Sequence, residues 1–549
     1  MAVRLGAGAM LPIVVDETWH LLAGHSWIHE GTLRVDQGAY TRAGYFTVLV
    51  AWFMEALGET LAVARLPGVI AGAALVTAVF IWLRRRSGLV AAWTGGLLLC
   101  FHDLSILLSA EVRFYTIHAL CLWLTAAIIY RVTEGERSQR QPVWMLAIAA
   151  GLFAVAFYVQ VTAVAALAAM VCWVVCDLGY RSRARLWPLL RSHWILAAIG
   201  VAIILAGAIS ILLHPPAALA RLLADFRQTA YWAQPLQDWA IFYQQYYSQT
   251  ITLLWGLFPL AFIAALIHRP RAAIFCAFLF VVPIIIMSFG GMKSGRYVFF
   301  ALPYLFAIWG LAAQAVYPRT VQIGYRTWNR AWELARGPRH GSAAAAEQRL
   351  RRYAFATASI LVLGFAVVSQ VSYRDSAKLV IKSAIAVLSR PGQLLVGPPM
   401  EPWASHRNEL MRMTERASVF VTSAPSDTML AIGPFDVILH RSPPEETLVG
   451  GEYAIDPRIG RPTISTVESL QAIVNCYQTG IVIVPGDYWR NKAAVTEDVA
   501  NYLMATAHLT RFAGPTSPDD DLLVFEWQGQ PHVASPQCDE VRSKLARKS

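Results

Sequence analysis

Long apolar runs recur along this chain, and they rule out a water-soluble globule for most of its length. They lie at Leu61 to Leu83, Leu89 to Leu108, Tyr115 to Tyr130, Val143 to Tyr158, Val161 to Val175, Trp194 to Leu213, Ile251 to Ile267, Ala272 to Phe289, Tyr297 to Val316 and Ala354 to Val371. A helix that crosses a bilayer needs ~20 largely apolar residues, because each residue rises ~1.5 Å through ~30 Å of hydrocarbon. A shorter run from Val3 to Val15 precedes them and is counted as a first span. The expectation is an all-α polytopic membrane domain of about eleven transmembrane helices over residues 1–372. Composition agrees: 56% of the 549 residues are hydrophobic and only 15% charged, where a soluble domain carries about a quarter.

The net charge of +11 does not point to nucleic acid, because the basic residues are not gathered on one solvated surface. They alternate between loops, as the positive-inside rule requires of a polytopic protein. Arg84 to Arg86, Arg131 to Arg140, Arg181 to Arg191, Arg269 and Arg271, and the arginines of Tyr317 to Arg352 mark one set of loops as cytoplasmic. The intervening set faces outward: Asp16 to Thr60, Ser109 to Arg113, His214 to Thr250 and Gly290 to Arg296. The chain is therefore expected to be integral to a membrane, a bacterial inner (plasma) membrane, in contact with its lipids. The last of the outer loops but one is rich in aromatics, among them Trp232, Trp239, Tyr243, Tyr246 and Tyr247. An interfacial aromatic belt explains most of these, and the remainder could cover a site or stack on a sugar.

After Val371 hydropathy falls and short strand-like runs appear at Gln393 to Val396, Met429 to Ile432, Ile481 to Val484 and Leu522 to Phe525, with a helical stretch at Val495 to Ala507. Residues 373–549 read as a small soluble α/β domain, on the outer side by parity of the spans. Five of the seven cysteines lie in apolar runs, and Cys476 and Cys538 alone fall in this domain. They could form a disulfide if the domain meets an oxidising compartment.

Ionisable residues near membrane depth are costly, and those that persist mark sites or buried pairs. Here they gather at the outer face: Asp16 and Glu17 after the first run, Asp36 in the same loop, Asp103, Glu111, Arg113 and Tyr115 around the next turn, and Lys293 and Arg296 around another. The last two run against the positive-inside bias, so they either meet an anion or snorkel to lipid phosphates. Asp36 could join Asp16 around a divalent cation, the only cofactor suggested, and whether a metal is needed is left open. Glu111 suits structural pairing, and on a helix it would point away from Arg113.

Four segments in register carry a resemblance: Val15-Asp16-Glu17-Thr18-Trp19, Ala64-Arg65-Leu66-Pro67-Gly68, Ser109-Ala110-Glu111-Val112-Arg113-Phe114-Tyr115, and Gly295-Arg296-Tyr297 with Leu302-Pro303. In order and position they resemble the landmarks of GT-C-fold membrane glycosyltransferases of the protein O-mannosyltransferase and aminoarabinose-transferase type. The chain departs from that pattern at Tyr40 to Phe46, where such proteins carry a His-Pro-Pro-type element. The resemblance implies transfer of a sugar from a polyprenyl-phosphate donor to an acceptor hydroxyl on the outer (periplasmic) face. The acceptor could belong to a protein, a lipid or a polysaccharide. On this reading Asp16 is the general base, with Glu17 beside it, and Lys293, Arg296 and Arg113 hold the donor phosphate. Asp36, Asp103, Glu111 and Tyr115 are secondary, acceptor or metal candidates. Inversion at the anomeric carbon would follow from a single displacement. A transporter or flippase with an outer substrate-binding domain is the competing reading, since intramembrane charges suit that class too.

Overall fold

Glycines and capped helix ends set how the helices of the membrane part pack. The computed structural model describes residues 1–11, 15–35, 38–134, 143–192, 242–290, 293–317, 364, 369–389, 429–432 and, in pieces, 453–545. The chain opens with α1 (Ala2–Met10) and α2 (Val15–Glu30), a short ribbon of β1 (Arg34–Val35) and β2 (Gly38–Ala39), and α3 (Gly44–Leu57). Then come α4 (Leu61–Arg86), α5 (Leu89–Cys100), α6 (Asp103–Ala110), α7 (Tyr115–Glu134), α8 (Val143–Val159) and α9 (Ala163–Ser192). Farther on lie α10 (Phe242–Thr250), α11 (Thr252–Gly256), α12 (Phe258–His268), α13 (Pro270–Ser288), α14 (Gly295–Tyr317, whose start to Ala301 is 3-10) and α15 (Val371–Ser389).

Among the described residues, five helices are long and apolar enough to cross a membrane: α4, α7, α9, α13 and α14. A sixth appears if α5 and α6, bent by 59°, are one span. The expected total of eleven is not reached among these residues. The runs Trp194 to Leu213 and, up to Gln370, Ala354 to Val371 fall outside them except for Gly364 and residues 369–370. The run at Ile251 to Ile267 is interrupted at Leu257, and Pro259, which has no N–H to give, sits in the first turn of α12. Helix α1 has nine residues, a rise of about 14 Å and less than half the hydrocarbon thickness.

The stretch from Asp16 to Thr60, expected as a loop, contains two helices instead. Neither α2, with 16 residues, nor α3, with 14, is long enough to cross, so a search for spans passes over them. Helix α3 buries Phe46, Val50 and Met54 and leaves Tyr45 and Trp52 exposed. Helix α4 starts at Thr60, whose Oγ1 accepts from the Val63 N–H at 3.2 Å, and Gly68 and Gly72 let its backbone approach α6 and the turn after it. A methyl added at Gly72 would stand 2.1 Å from Ser109 Oγ, and one at Gly68 3.0 Å from the Ser109 carbonyl oxygen. Helix α15 packs on α1 and α6, and its Tyr373 hydroxyl donates to the Leu98 carbonyl at 2.9 Å.

At the end of the bundle that carries Arg86, several loop arginines are used in pairing. Arg271 Nε donates to Asp177 Oδ1 at 2.9 Å, its guanidinium lies 4.5 Å from the centre of the Tyr130 ring, and Arg86 pairs with Glu134.

The C-terminal part holds a four-stranded mixed sheet in the order β3 (Met429–Ile432), β6 (Thr479–Pro485), β8 (Leu522–Gln528), β7 (His508–Phe512), with a separate ribbon of β4 (Ile455–Asp456) and β5 (Arg461–Pro462). Strands β3 and β6 are parallel and the other two pairings antiparallel. Helices α16 (Val467–Cys476), α17 (Glu497–Thr506) and α18 (Pro536–Leu545) accompany it, the first two capped by Thr466 and Thr496. Val482, Val484, Leu523 and Phe525 bury against Leu470, Ile473 and Leu503 in a core of their own. Three of the four expected strands and the expected helix are present, and Gln393 to Val396 lies outside the described residues. Cys476 and Cys538 form a disulfide between the end of α16 and α18.

Candidate active site

The end of the bundle at which α4 begins is organised around one buried ion pair. Glu17, in the first turn of α2, receives Arg65 Nε at 2.8 Å on Oε1 and Arg65 Nη2 at 2.5 Å on Oε2, with both side chains fully buried. Glu17 Oε1 also accepts the Val112 N–H at 2.6 Å. Arg65 Nη1 in turn donates to the carbonyls of Gly8 at 2.9 Å and Leu11 at 2.7 Å, so the last turn of α1 is bound as well. One carboxylate and one guanidinium thus join α1, α2, α4 and the turn after α6. A bidentate pair of this kind fixes orientation as well as distance. Arg65 entered the sequence reading only as part of a motif. Its partner is 48 residues away, and no local spacing reveals the pair.

Helix α6 ends at Glu111, whose extended backbone lets the Arg113 N–H bond back to the Glu111 carbonyl at 2.8 Å. The segment is a three-residue turn, not a helix, so helical spacing does not hold Glu111 and Arg113 apart. Arg113 is buried, its Nη2 donates to the Tyr115 hydroxyl at 3.2 Å, and its guanidinium stands 5.5 Å from the Phe114 ring centre. Burial and the neighbouring Glu17 raise the Glu111 carboxyl from about 4.5 to about 7, against the opposing pull of Arg113, Arg65 and Arg296. At neutral pH this group is poised to give or take a proton.

Lys293 and Arg296 come from the turn that opens α14. The Tyr243 hydroxyl donates to the Ser294 carbonyl at 3.4 Å, and a methyl on Gly295 would stand 2.6 Å from the Tyr246 ring, so α10 lies directly on this turn. Tyr297 meets Tyr115 edge-on at 6.3 Å, which brings the turn to the start of α7. Arg296 lies close enough to act on Glu111. The Lys293 ammonium is enclosed and has no hydrogen-bond partner among the described residues, and burial holds its pKa below the ordinary lysine value. An unpaired enclosed cation gains from an anion brought to it.

His20 escaped the sequence reading, although it lies three residues after Glu17 and so on the same face of α2. It is fully buried, with Nδ1 2.9 Å from Thr47 Oγ1 and its ring edge-on to Tyr40, Phe46 and Phe114. Burial, Arg113 and Arg42 keep it well below the usual histidine pKa, hence neutral. Asp103 stands at the far end of α6 from Glu111, where Oδ1 accepts the Leu104 N–H at 2.6 Å and lies 3.0 Å from His102 Nδ1. It is not brought to the Glu111 turn. Asp16 belongs to the first turn of α2, but its side chain lies outside the described residues, as does Asp36.

This arrangement sits on a fold already seen. The structure matches that of ArnT from Cupriavidus metallidurans bound to undecaprenyl phosphate with a TM-score of 0.52 at 14% identity, covering 97% of each chain. The chain has a GT-C-like fold. Against the apo state of the same ArnT the TM-score is again 0.52, at 15% identity over 95% of each chain. The archaeal oligosaccharyltransferase AglB from Archaeoglobus fulgidus aligns at 0.48 and 11% identity, over 96% of this chain and 71% of AglB. No protein-family model matches the sequence, and a search of curated proteins finds no match either.

Proposed function

We propose that this chain is a membrane glycosyltransferase that moves a sugar from a polyprenyl-phosphate donor to an acceptor hydroxyl at the outer face of a bacterial inner membrane. The observation that carries this reading is the enclosed Lys293 ammonium, without a hydrogen-bond partner among the described residues, on the turn that also carries Arg296, which acts on Glu111; it supports an anion site there. The ArnT structure of like fold was solved with undecaprenyl phosphate, an anion of the matching chemistry. The loop charges favour the outer side for this face. The Cys476–Cys538 disulfide favours an oxidising compartment for residues 373–549.

In this mechanism Lys293, Arg296 and Arg113 hold the donor phosphate and stabilise the charge that grows on it as the bond from the anomeric carbon to the phosphate oxygen breaks. A phosphate leaves without protonation, so cations replace the acid that glycoside hydrolysis needs. The acceptor oxygen forms its bond to the anomeric carbon from the opposite side, and its proton passes to Asp16, with inversion. The Glu17–Arg65 pair fixes the first turn of α2, to which Asp16 belongs, a positioning role for Glu17. Glu111, raised to about 7, is a second proton acceptor suited to neutral pH.

The test is turnover of labelled polyprenyl-phosphate sugars by purified protein, with Asp16→Asn and Glu111→Gln beside the wild type. Free lipid phosphate should appear with wild type, and loss of a general base should cost ~10²–10⁴-fold. Loss confined to Glu111→Gln would transfer the base to Glu111. Transport of the lipid with no release of lipid phosphate would favour the flippase.

A further inference from the structure

Away from the Glu17–Arg65 pair, the far end of α2 holds a second cluster that the proposed transfer does not use. His25 and His29 lie one turn apart on α2, so both imidazoles leave the same face. Glu59 meets them from the turn between α3 and α4. His25 Nδ1 is 2.8 Å from Glu59 Oε2, and His29 Nε2 is 3.1 Å from Glu59 Oε1. The two rings are 4.2 Å apart at their centres, and one ligand atom from each of the three residues lies within 4.8 Å of the others. We propose that His25, His29 and Glu59 form a binding site for a divalent transition metal ion of the zinc class.

The donor set fits such an ion. Two imidazole nitrogens and one carboxylate are borderline ligands that suit zinc and its neighbours, whereas calcium and magnesium prefer six or more oxygens. Around a tetrahedral ion with bonds of ~2.0–2.2 Å, neighbouring ligand atoms stand roughly 3.3 Å apart; here the two imidazole–carboxylate separations are 2.8 and 3.1 Å, and one ligand atom from each residue lies within 4.8 Å of the others. With side chains 30–54% exposed, the cluster is open to water, which would supply a fourth ligand.

The backbone sets the geometry before any ion arrives. Gly58 ends α3 at φ +103°, a conformation that disfavours a side chain, and it is followed directly by Glu59 and then by Thr60, the cap of α4. Gly31, at φ +70°, closes α2 just after His29, with its N–H on the Trp27 carbonyl at 3.0 Å. Glu59 is thus held on a fixed turn opposite two histidines on a fixed helix. An ion there would fasten α2 to the α3–α4 turn, about 12 Å along the helix from Glu17.

The experiment uses the full chain in detergent, without a polyhistidine tag and stripped by chelator. It is dialysed against micromolar zinc and its metal content measured, and cobalt is then substituted to read the d–d absorption of a bound ion. One zinc per chain is expected, unmoved by a large excess of magnesium. His25→Ala/His29→Ala and Glu59→Gln should each weaken binding by at least the ~10–100-fold that loss of even an outer-shell partner costs. Glu59→Gln keeps the side-chain shape and decides the matter should the histidine variant fold poorly. Wild-type zinc affinity in Glu59→Gln, displacement by magnesium, or no zinc on the wild type would each overturn the proposal.

Discussion

Replacing Glu17 by Ala removes the acceptor for two Arg65 N–H groups and for the Val112 N–H at once. Arg65 keeps the carbonyls of Gly8 and Leu11 and is fully buried, so its charge loses the Glu17 carboxylate in a medium that solvates it poorly. Breaking a buried pair from one side costs ~3–5 kcal/mol, whereas replacing both partners with apolar residues is often near neutral. The expected pattern is therefore a cycle. Glu17→Ala and Arg65→Met each destabilise by about 3–5 kcal/mol, and the double variant loses clearly less than their sum. Equilibrium unfolding in mixed detergent and SDS micelles, followed by tryptophan fluorescence, measures it. Single variants within about 0.5 kcal/mol of wild type, the range of ordinary surface changes, would refute the clamp, as would strict additivity.

Glu111 gives a pH dependence with a definite sign. Its carboxyl is raised from about 4.5 to about 7, so the folded protein holds the proton more tightly than the unfolded chain. Its contribution is complete below about pH 4.5 and is lost as pH rises to about 7; Glu111→Gln should flatten that part of the stability profile, and an unchanged slope would contradict it. The disulfide closes a separation of 62 residues, for which loop entropy gives about 4 kcal/mol. Cys476→Ser/Cys538→Ser should lower the unfolding midpoint of the C-terminal part by an amount within that limit. Maleimide should label these two cysteines only after reduction, and labelling without reductant would contradict the bond.

The long helices were legible because a span must be apolar throughout, whatever it packs against. The break at Phe101 and His102 that separates α5 from α6 was not, because the apolar run continues across it. Helices α2 and α3 were missed for the opposite reason: with 16 and 14 residues they are too short to span and leave no run of spanning length. Strands β3, β6 and β8 announced themselves as short β-branched and apolar runs between turn residues. At the site, Glu111, Arg113, Lys293 and Arg296 stood out because charge is costly near a membrane. Arg65 and His20 acquire their roles only from partners in other segments, which a linear reading does not join. The turn at Glu111 also shows why the premise of helical spacing failed: the pairing of Arg113 N–H with the Glu111 carbonyl replaces the next helical bond.

The claim that Lys293 and Arg296 receive a lipid phosphate is tested most directly by binding. Native mass spectrometry of the detergent-released protein would count and compare bound undecaprenyl phosphate and the uncharged polyprenol. The account predicts one copy of the phosphate on the wild type. Lys293→Ala should weaken it by roughly 10–150-fold, the equivalent of one hydrogen bond to a charged group at ~1.5–3 kcal/mol, with the polyprenol unaffected. Equal affinity of wild type and Lys293→Ala for undecaprenyl phosphate would contradict it.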